Sequence, residues 1–270
     1  MSEPTAVGQH VDGLMATLGR VKEKGLQAMQ RQEAEEAKRL EERRAWAASP
    51  DGQATIAEQK RVAAALREAA RFQAWTEAAK QIGVQRRYLK ATIGGVDLAQ
   101  FLPGTDLTAI RATIERVRRY LRDDHPQGRA LVLCGTPGTA KTYGASAALR
   151  VLFEHNTYRG QMFWNATVLR TSLMNLDRRG AIIEGLLTAP MLVLDDLGIE
   201  YTREGDYWEG VLDTIFVTRE GDQLPMIVTS NLSLEKLAVK LGPRSWDRLL
   251  GEWGTIFEVV GESVRGKEAA

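Results

Sequence analysis

Eight residues, Gly135-Thr-Pro-Gly-Thr-Ala-Lys-Thr142, follow directly on an apolar run, Ala130-Leu-Val-Leu-Cys134. That junction constrains the fold more than any other part of the chain. A buried strand that breaks into a glycine-rich turn, then opens an alanine-rich helix over Tyr143–Phe153, belongs to an α/β layer structure. The turn aims backbone N–H groups into one concavity, and the helix N-terminus adds positive potential there. Gly135, Thr136, Pro137, Gly138, Thr139 and Ala140 would cradle phosphate. Lys141 would reach the β- and γ-phosphates of a nucleotide, and the Thr142 hydroxyl would ligate Mg²⁺. The usual pattern has glycine before the lysine, where this chain has Ala140. At the entrance to a helix its φ is expected to be negative, which makes the extra methyl a small perturbation. A tight strand-to-helix turn without nucleotide remains the alternative.

Downstream, Met191-Leu-Val-Leu-Asp195-Asp196-Leu-Gly198 reads as a buried parallel strand with two carboxylates at its C-terminal edge. Ligands of open α/β sheets bind at that edge. Asp195 is placed to hold Mg²⁺ through water, and Asp196 to orient and polarise an attacking water. Both would otherwise cap the next loop or helix. A third strand, Pro225-Met-Ile-Val-Thr-Ser-Asn231, ends at the same edge. Asn231 would sense the γ-phosphate or the attacking water, or else serve, like Ser233, as N-cap of a helix over Leu234–Leu241.

The strand–loop–helix, Leu-Val-Leu-Asp-Asp-Leu-Gly-Ile-Glu200, Met-Ile-Val-Thr-Ser-Asn-Leu232 and Arg-Ser-Trp-Asp-Arg-Leu-Leu250, taken in order, resemble the AAA+ ATPases of the DnaC/DnaI-type helicase loaders and the IstB-like transposition helpers. The resemblance covers about Val84 to Arg265 and includes Arg87-Tyr88, similar to the segment that leads into the ATPase domain. Ala140 departs from most of that family, although AAA+ relatives of the minichromosome-maintenance and MoxR types carry alanine there. The resemblance implies that Arg248 is an arginine finger acting on ATP held by a neighbouring subunit, with Arg244 on the same face. It implies a sensor arginine acting in cis at Arg265, and it matches Arg219 without fixing a role. A surface charge or local ion pair is the alternative for each. ATP with Mg²⁺ would bridge two copies, so that a homo-oligomer forms when ATP is bound. The chain after Asn231 is short, which implies little or no C-terminal lid.

The expected fold is therefore α/β: a P-loop AAA+ five-stranded parallel sheet between helices, preceded by an α-helical N-terminal region. Strands are expected near Ala130–Cys134, Gly160–Asn165, Met191–Asp195, Met226–Ser230 and Thr255–Val260. An amphipathic helix over Asp106–Leu121 would pack on the sheet through Leu107, Ile110, Ile114, Val117 and Leu121. The chain of 270 residues suits an ATPase domain over 84–270 with a helical partner-docking region over 1–83. In that region Val11, Leu14, Leu18 and Val21 share a helical face, continued by Leu26 and Met29. Arg31–Arg44 is almost wholly charged, Ser49-Pro-Asp-Gly52 reads as a turn, and a second helix spans about Ile56–Gln81 with Val62, Leu66, Ala69, Phe72 and Trp75 on one side. Docking competes there with an intramolecular hairpin or a homotypic coiled coil.

Thirty-six basic against thirty-five acidic residues give a net charge of +1, which announces no nucleic-acid binder globally and leaves room for a local patch. The single cysteine, Cys134, reads as a buried hydrophobe and excludes a disulfide framework or a cysteine-type zinc site within the chain. No signal peptide and no membrane-length run is visible, so a cytoplasmic protein is expected. Three functions stay open. A helicase loader would bind single-stranded DNA and deliver a replicative helicase. A transposition helper would assemble on duplex DNA and recruit a transposase. A nucleotide-dependent interaction module would hydrolyse weakly or not at all.

Overall fold

The computed structural model describes residues 6–94, 105–155, 160–198 and 207–264, with the side chains of residues 6–21, 25 and 28 outside the description. The chain divides into two compact units, Met1–Ala69 and Ala70–Ala270.

The second unit is built on a five-stranded sheet. Its strands are β1 (Ala130–Gly135), β2 (Met162–Asn165), β3 (Leu192–Asp195), β4 (Met226–Thr229) and β5 (Gly254–Val259). Their order across the sheet is β2-β3-β4-β1-β5, with every pairing parallel. The strands expected from the sequence all form: β1 is one residue longer, β2, β3 and β4 are shorter by one or two, and β5 is shifted by one. Parallel strands covered on both faces must be apolar throughout, which is why β1, β3 and β4 are buried at every position. Their side chains divide between two apolar layers, one holding Leu131, Leu133 and Val193, the other Val132, Leu194 and Val228.

The first layer is closed by α3 (Thr108–Arg119), α4 (Lys141–Glu154) and the end of α2 (Pro50–Ile82). Helix α3 forms where the apolar spacing places it and buries Ile110, Ile114 and Val117. Ahead of its N-cap residue Leu107, the Asp106 carboxylate accepts from the Thr108 N–H at 2.9 Å. The α3 and α4 axes approach closely at Gly144, where a Cβ would meet Val117 Cγ2 at 3.0 Å. Trp75 and Ala79 of α2 are fully buried, and the Trp75 indole donates to the Leu89 carbonyl at 2.8 Å. The unit that holds the sheet thus begins at Ala70, inside α2.

The second layer is closed by α5 (Ala166–Ser172), α6 (Leu176–Thr188), α7 (Tyr207–Gly221) and α8 (Leu234–Leu250). Helix α8 breaks at Gly242, whose φ is 73° and ψ 166°, so it is two helices joined at Gly242-Pro243. Arg219 of α7 is fully buried and has no carboxylate partner among the described residues. It donates to the carbonyls of Leu186 (2.8 Å) and Pro225 (2.7 Å), tying α6 and α7 to the start of β4. Burial lowers its pKa to about 10, which leaves it charged at neutral pH.

In the first unit α1 (Ala6–Ala48) runs unbroken through the charged stretch, where every side chain from Arg31 to Arg44 is exposed. Glu35–Arg39, at 2.9 Å, is one of the i,i+4 pairs that keep such a rod helical. The face expected from Val11, Leu14, Leu18 and Val21 lies outside the described side chains; Leu26 and Met29 are exposed. The expected turn at Ser49–Gly52 is instead a one-residue break. Ser49 caps α2 by accepting from the Gly52 N–H at 3.1 Å, and Pro50 opens the helix, a position where its missing N–H costs nothing. Side chain-free Gly52 lets the two helix ends meet, since a Cβ there would lie 1.8 Å from the Trp46 carbonyl oxygen.

Candidate nucleotide site

The C-terminal ends of β1, β3 and β4 are stitched together by main-chain bonds. Gly135 N–H donates to Leu232 O (2.7 Å), Ser230 N–H to Leu133 O (2.9 Å) and Leu197 N–H to Thr229 O (2.8 Å). On that edge sit Lys141, Thr142, Asp195, Asp196 and Asn231, so the three strings found in the sequence converge as expected.

The glycine-rich loop forms a cradle. Gly138 and Ala140 both take left-handed backbone conformations, with φ of 78° and 65°. Left-handed residues at alternate positions turn successive amides toward one concavity. The expectation of a negative φ at Ala140 is therefore wrong. Ala140 is not the first helical residue but the N-cap of α4, and the cap position takes a left-handed backbone. The cost for a residue with a Cβ is about 1–2 kcal/mol. Partial burial of its methyl against the cluster of Ile110, Ile114 and Val264 offsets part of it, at up to about 0.8 kcal/mol per fully buried carbon.

Lys141 is 5% exposed, and its ammonium donates to the loop carbonyls of Gly135 (3.0 Å) and Thr136 (2.6 Å). A phosphate oxygen is a stronger acceptor for it than either carbonyl. From below, the buried Thr113 hydroxyl of α3 lies 2.9 Å from the Thr139 carbonyl and braces the loop.

Asp195 is 2% exposed, and its Oδ1 accepts from the Thr229 hydroxyl at 2.6 Å. Burial raises its pKa above the usual carboxylate range, while hydroxyl donation from Thr229 and Thr142 and the charge of Arg87 pull it back. A Thr hydroxyl and an aspartate oxygen meeting at the end of a phosphate cradle are hard donors, the set that suits Mg²⁺. Asp196 is also left-handed, with φ of 62°, a conformation aspartate tolerates. Its N–H donates to Thr229 Oγ1 (3.0 Å), and its carboxylate accepts from the Asn231 amide. Ser233 caps α8, accepting from Lys236 N–H, and Asn231 instead faces Asp196.

Thr229 was not singled out in the sequence, yet it links both carboxylates. The signal was present: a hydroxyl residue two places before Asn231, on the strand beside Asp195. Arg87, read only as part of an entry segment, is near enough to Asp195 to act on its charge, and its guanidinium lies over the Tyr88 ring at 4.8 Å.

Arg248 is not brought to this edge. It forms an ion pair with Glu220 of α7 and lies just before Gly254, which starts β5 at the opposite end of the sheet. Six residues of strand separate the two ends by about 16 Å, so Arg248 does not serve the loop of its own chain. Arg244 is exposed, and Arg265 lies outside the described residues. Cys134 is buried with its thiol pKa pushed up to about 11, as a buried hydrophobe requires. No helix among the described residues is long and apolar enough to cross a membrane.

No protein-family model and no curated protein matches the chain. Solved structures do. The DnaC helicase loader matches with a TM-score of 0.53 and 26% identity over 65% of this chain and 100% of its own. DnaI matches with a TM-score of 0.54 and 25% identity over 67% of this chain and 94% of its own. The replication initiator DnaA, bound to AMPPCP and single-stranded DNA, matches in fold, with a TM-score of 0.50 and 20% identity over 66% of this chain and 52% of its own. The strand order, the loop between β1 and α4, and the helical region ahead of the sheet give this chain a DnaC/DnaI-type AAA+ fold.

Proposed function

We propose that the chain is an ATP-hydrolysing helicase loader that binds single-stranded DNA and delivers a hexameric replicative helicase. The observation that carries this reading is the convergence of Lys141, Thr142, Asp195, Asp196 and Asn231 on one sheet edge of a fold shared with DnaC and DnaI. Gly135–Ala140 would present amides to the phosphates, and Lys141 would exchange its two loop carbonyls for phosphate oxygens. Thr142 and Asp195 would hold Mg²⁺, which when bound neutralises charge on the β- and γ-phosphates. Asp196, fixed by Asn231 and by Thr229, would accept a proton from the attacking water. Arg248 of a neighbouring copy would neutralise charge developing on the γ-phosphoryl group, so hydrolysis would require assembly and would loosen it. Arg265, next after Val264 in the sequence, would act in cis.

The helices of the first unit would dock the helicase. Leu26, Met29, Leu40, Trp46, Val62 and Leu66 are each at least 48% exposed along α1 and α2 and would supply its apolar contacts. Single-stranded DNA is bound by the neighbour DnaA. Such a factor would act in the cytoplasm.

The test is co-purification of the full chain with a hexameric replicative helicase, with ATP and single-stranded DNA present. Retention that falls when Trp46 and Leu66 become Glu supports the loader. ATP-dependent filaments on duplex DNA without helicase capture would instead mark an IstB-like transposition helper. ATP binding without turnover would mark an interaction module.

A further inference from the structure

Ala140 occupies a backbone conformation that glycine takes freely and alanine takes only when held. It packs, half-buried, against a small apolar cluster made of Ile110 and Ile114 of α3 and Val264, 8% exposed, on the segment that follows β5. That segment is fastened to the loop along its length. Gly261 N–H donates to the Thr136 hydroxyl at 3.0 Å, and Val264 N–H to the Gly138 carbonyl at 3.3 Å. Gly138 is pressed against it so closely that a Cβ would fall 2.1 Å from Ser263 Oγ.

We propose that Val264 is a positioning residue for the phosphate loop: it clamps the Ala140 methyl and so keeps the loop amides aimed at phosphate. The proposal rests on the reading of this loop as a nucleotide site. A loop with glycine at this position would hold its shape unaided. With alanine, the loop is correct only while Val260–Val264 lies against it. Anything that draws this segment away would weaken phosphate binding.

The test is a double-mutant cycle in the full chain: the parent, Val264→Ala, Ala140→Gly and the double variant. Two quantities are read, the Kd for Mg²⁺ and a fluorescent ATP analogue, and hydrogen exchange of amides 138–142 without nucleotide. Val264→Ala is expected to weaken binding about tenfold when residue 140 is alanine, the factor that matches a left-handed penalty of about 1.4 kcal/mol. With glycine at 140 the same change should move Kd by no more than about twofold. Val264→Ile should retain parent affinity. Exchange at 138–142 should quicken in Val264→Ala only when alanine is at 140. Equal effects of Val264→Ala in both backgrounds would overturn the proposal, as would no effect beside Ala140. If no variant binds nucleotide, the reading of the site fails, and the exchange data still decide whether Val264 controls the loop. Should the alanine variant fail to fold, Val264→Thr, which exchanges one packed methyl for a hydroxyl, repeats the cycle and should give the same pattern at smaller amplitude.

Discussion

Replacing Ala140 by glycine sets two effects against each other. The backbone gains the relief of about 1–2 kcal/mol at φ 65°, while the loss of a packed methyl and greater unfolded-state freedom cost about as much. Ala140→Gly should therefore change unfolding free energy by less than about 1 kcal/mol; urea denaturation measures it, and a larger loss would mean the methyl carries more than its area. Asp195 offers a sharper contrast. Its folded pKa is raised by burial, so its contribution to stability is full below the unfolded pKa and declines as pH rises through the folded value. Asp195→Asn should remove that decline, giving an unfolding temperature at neutral pH no lower than the parent's while Mg²⁺-dependent hydrolysis is lost. A clear drop in unfolding temperature would show that the carboxylate is a net stabiliser there. At this scale the sequence told which residues meet, because strand ends in a parallel sheet have nowhere else to go. It did not tell the sign of φ at Ala140. The composition of a loop does not disclose which of its residues must turn left-handed to make amides converge. Nor did it disclose Thr229, whose importance arises only from the adjacency of β3 and β4.

Among elements, the clearest surprise is Arg219. The sequence offered it as a functional arginine without a role, and the structure makes it a fully buried tie between α6, α7 and β4. Arg219→Ala removes the buried guanidinium donor from the Leu186 carbonyl and leaves the Pro225 carbonyl only the Leu192 N–H at 3.4 Å, and should lower stability by about 2–4 kcal/mol, with nucleotide affinity of the folded protein unchanged. Thermal unfolding and a binding titration separate these outcomes. The pair between Arg248 on α8 and Glu220 on α7 poses the complementary question. If Arg248 works on a neighbour's ATP, Glu220→Ala should preserve hydrolysis, whereas Arg248→Ala should reduce it at least about 100-fold and spare binding. Equal losses in the two variants would make the ion pair the whole role of Arg248. Strands were readable from apolar runs, and α3 from its spacing. The start of α2 was misread because Ser-Pro-Asp-Gly has the composition of a turn. Ser49 as N-cap and Pro50 as first helical residue use the same chemistry to begin a helix.

At the scale of the molecule, the proposed nucleotide site, completed by a second copy, would tie chemistry to assembly. The fold was legible because three strings of residues fall on one sheet edge. The role proposed for the helices ahead of it was not, since Leu40, Trp46, Val62 and Leu66 are simply exposed along them. The most direct measurement mixes two inactive variants. Lys141→Ala should bind no nucleotide, and Arg248→Ala should bind ATP without hydrolysing it. Mixed, the Lys141→Ala chain still supplies Arg248 to ATP held by the Arg248→Ala chain, so hydrolysis should return in the mixture. No recovery in the mixture, or parental hydrolysis by Arg248→Ala alone, would contradict a site shared between copies.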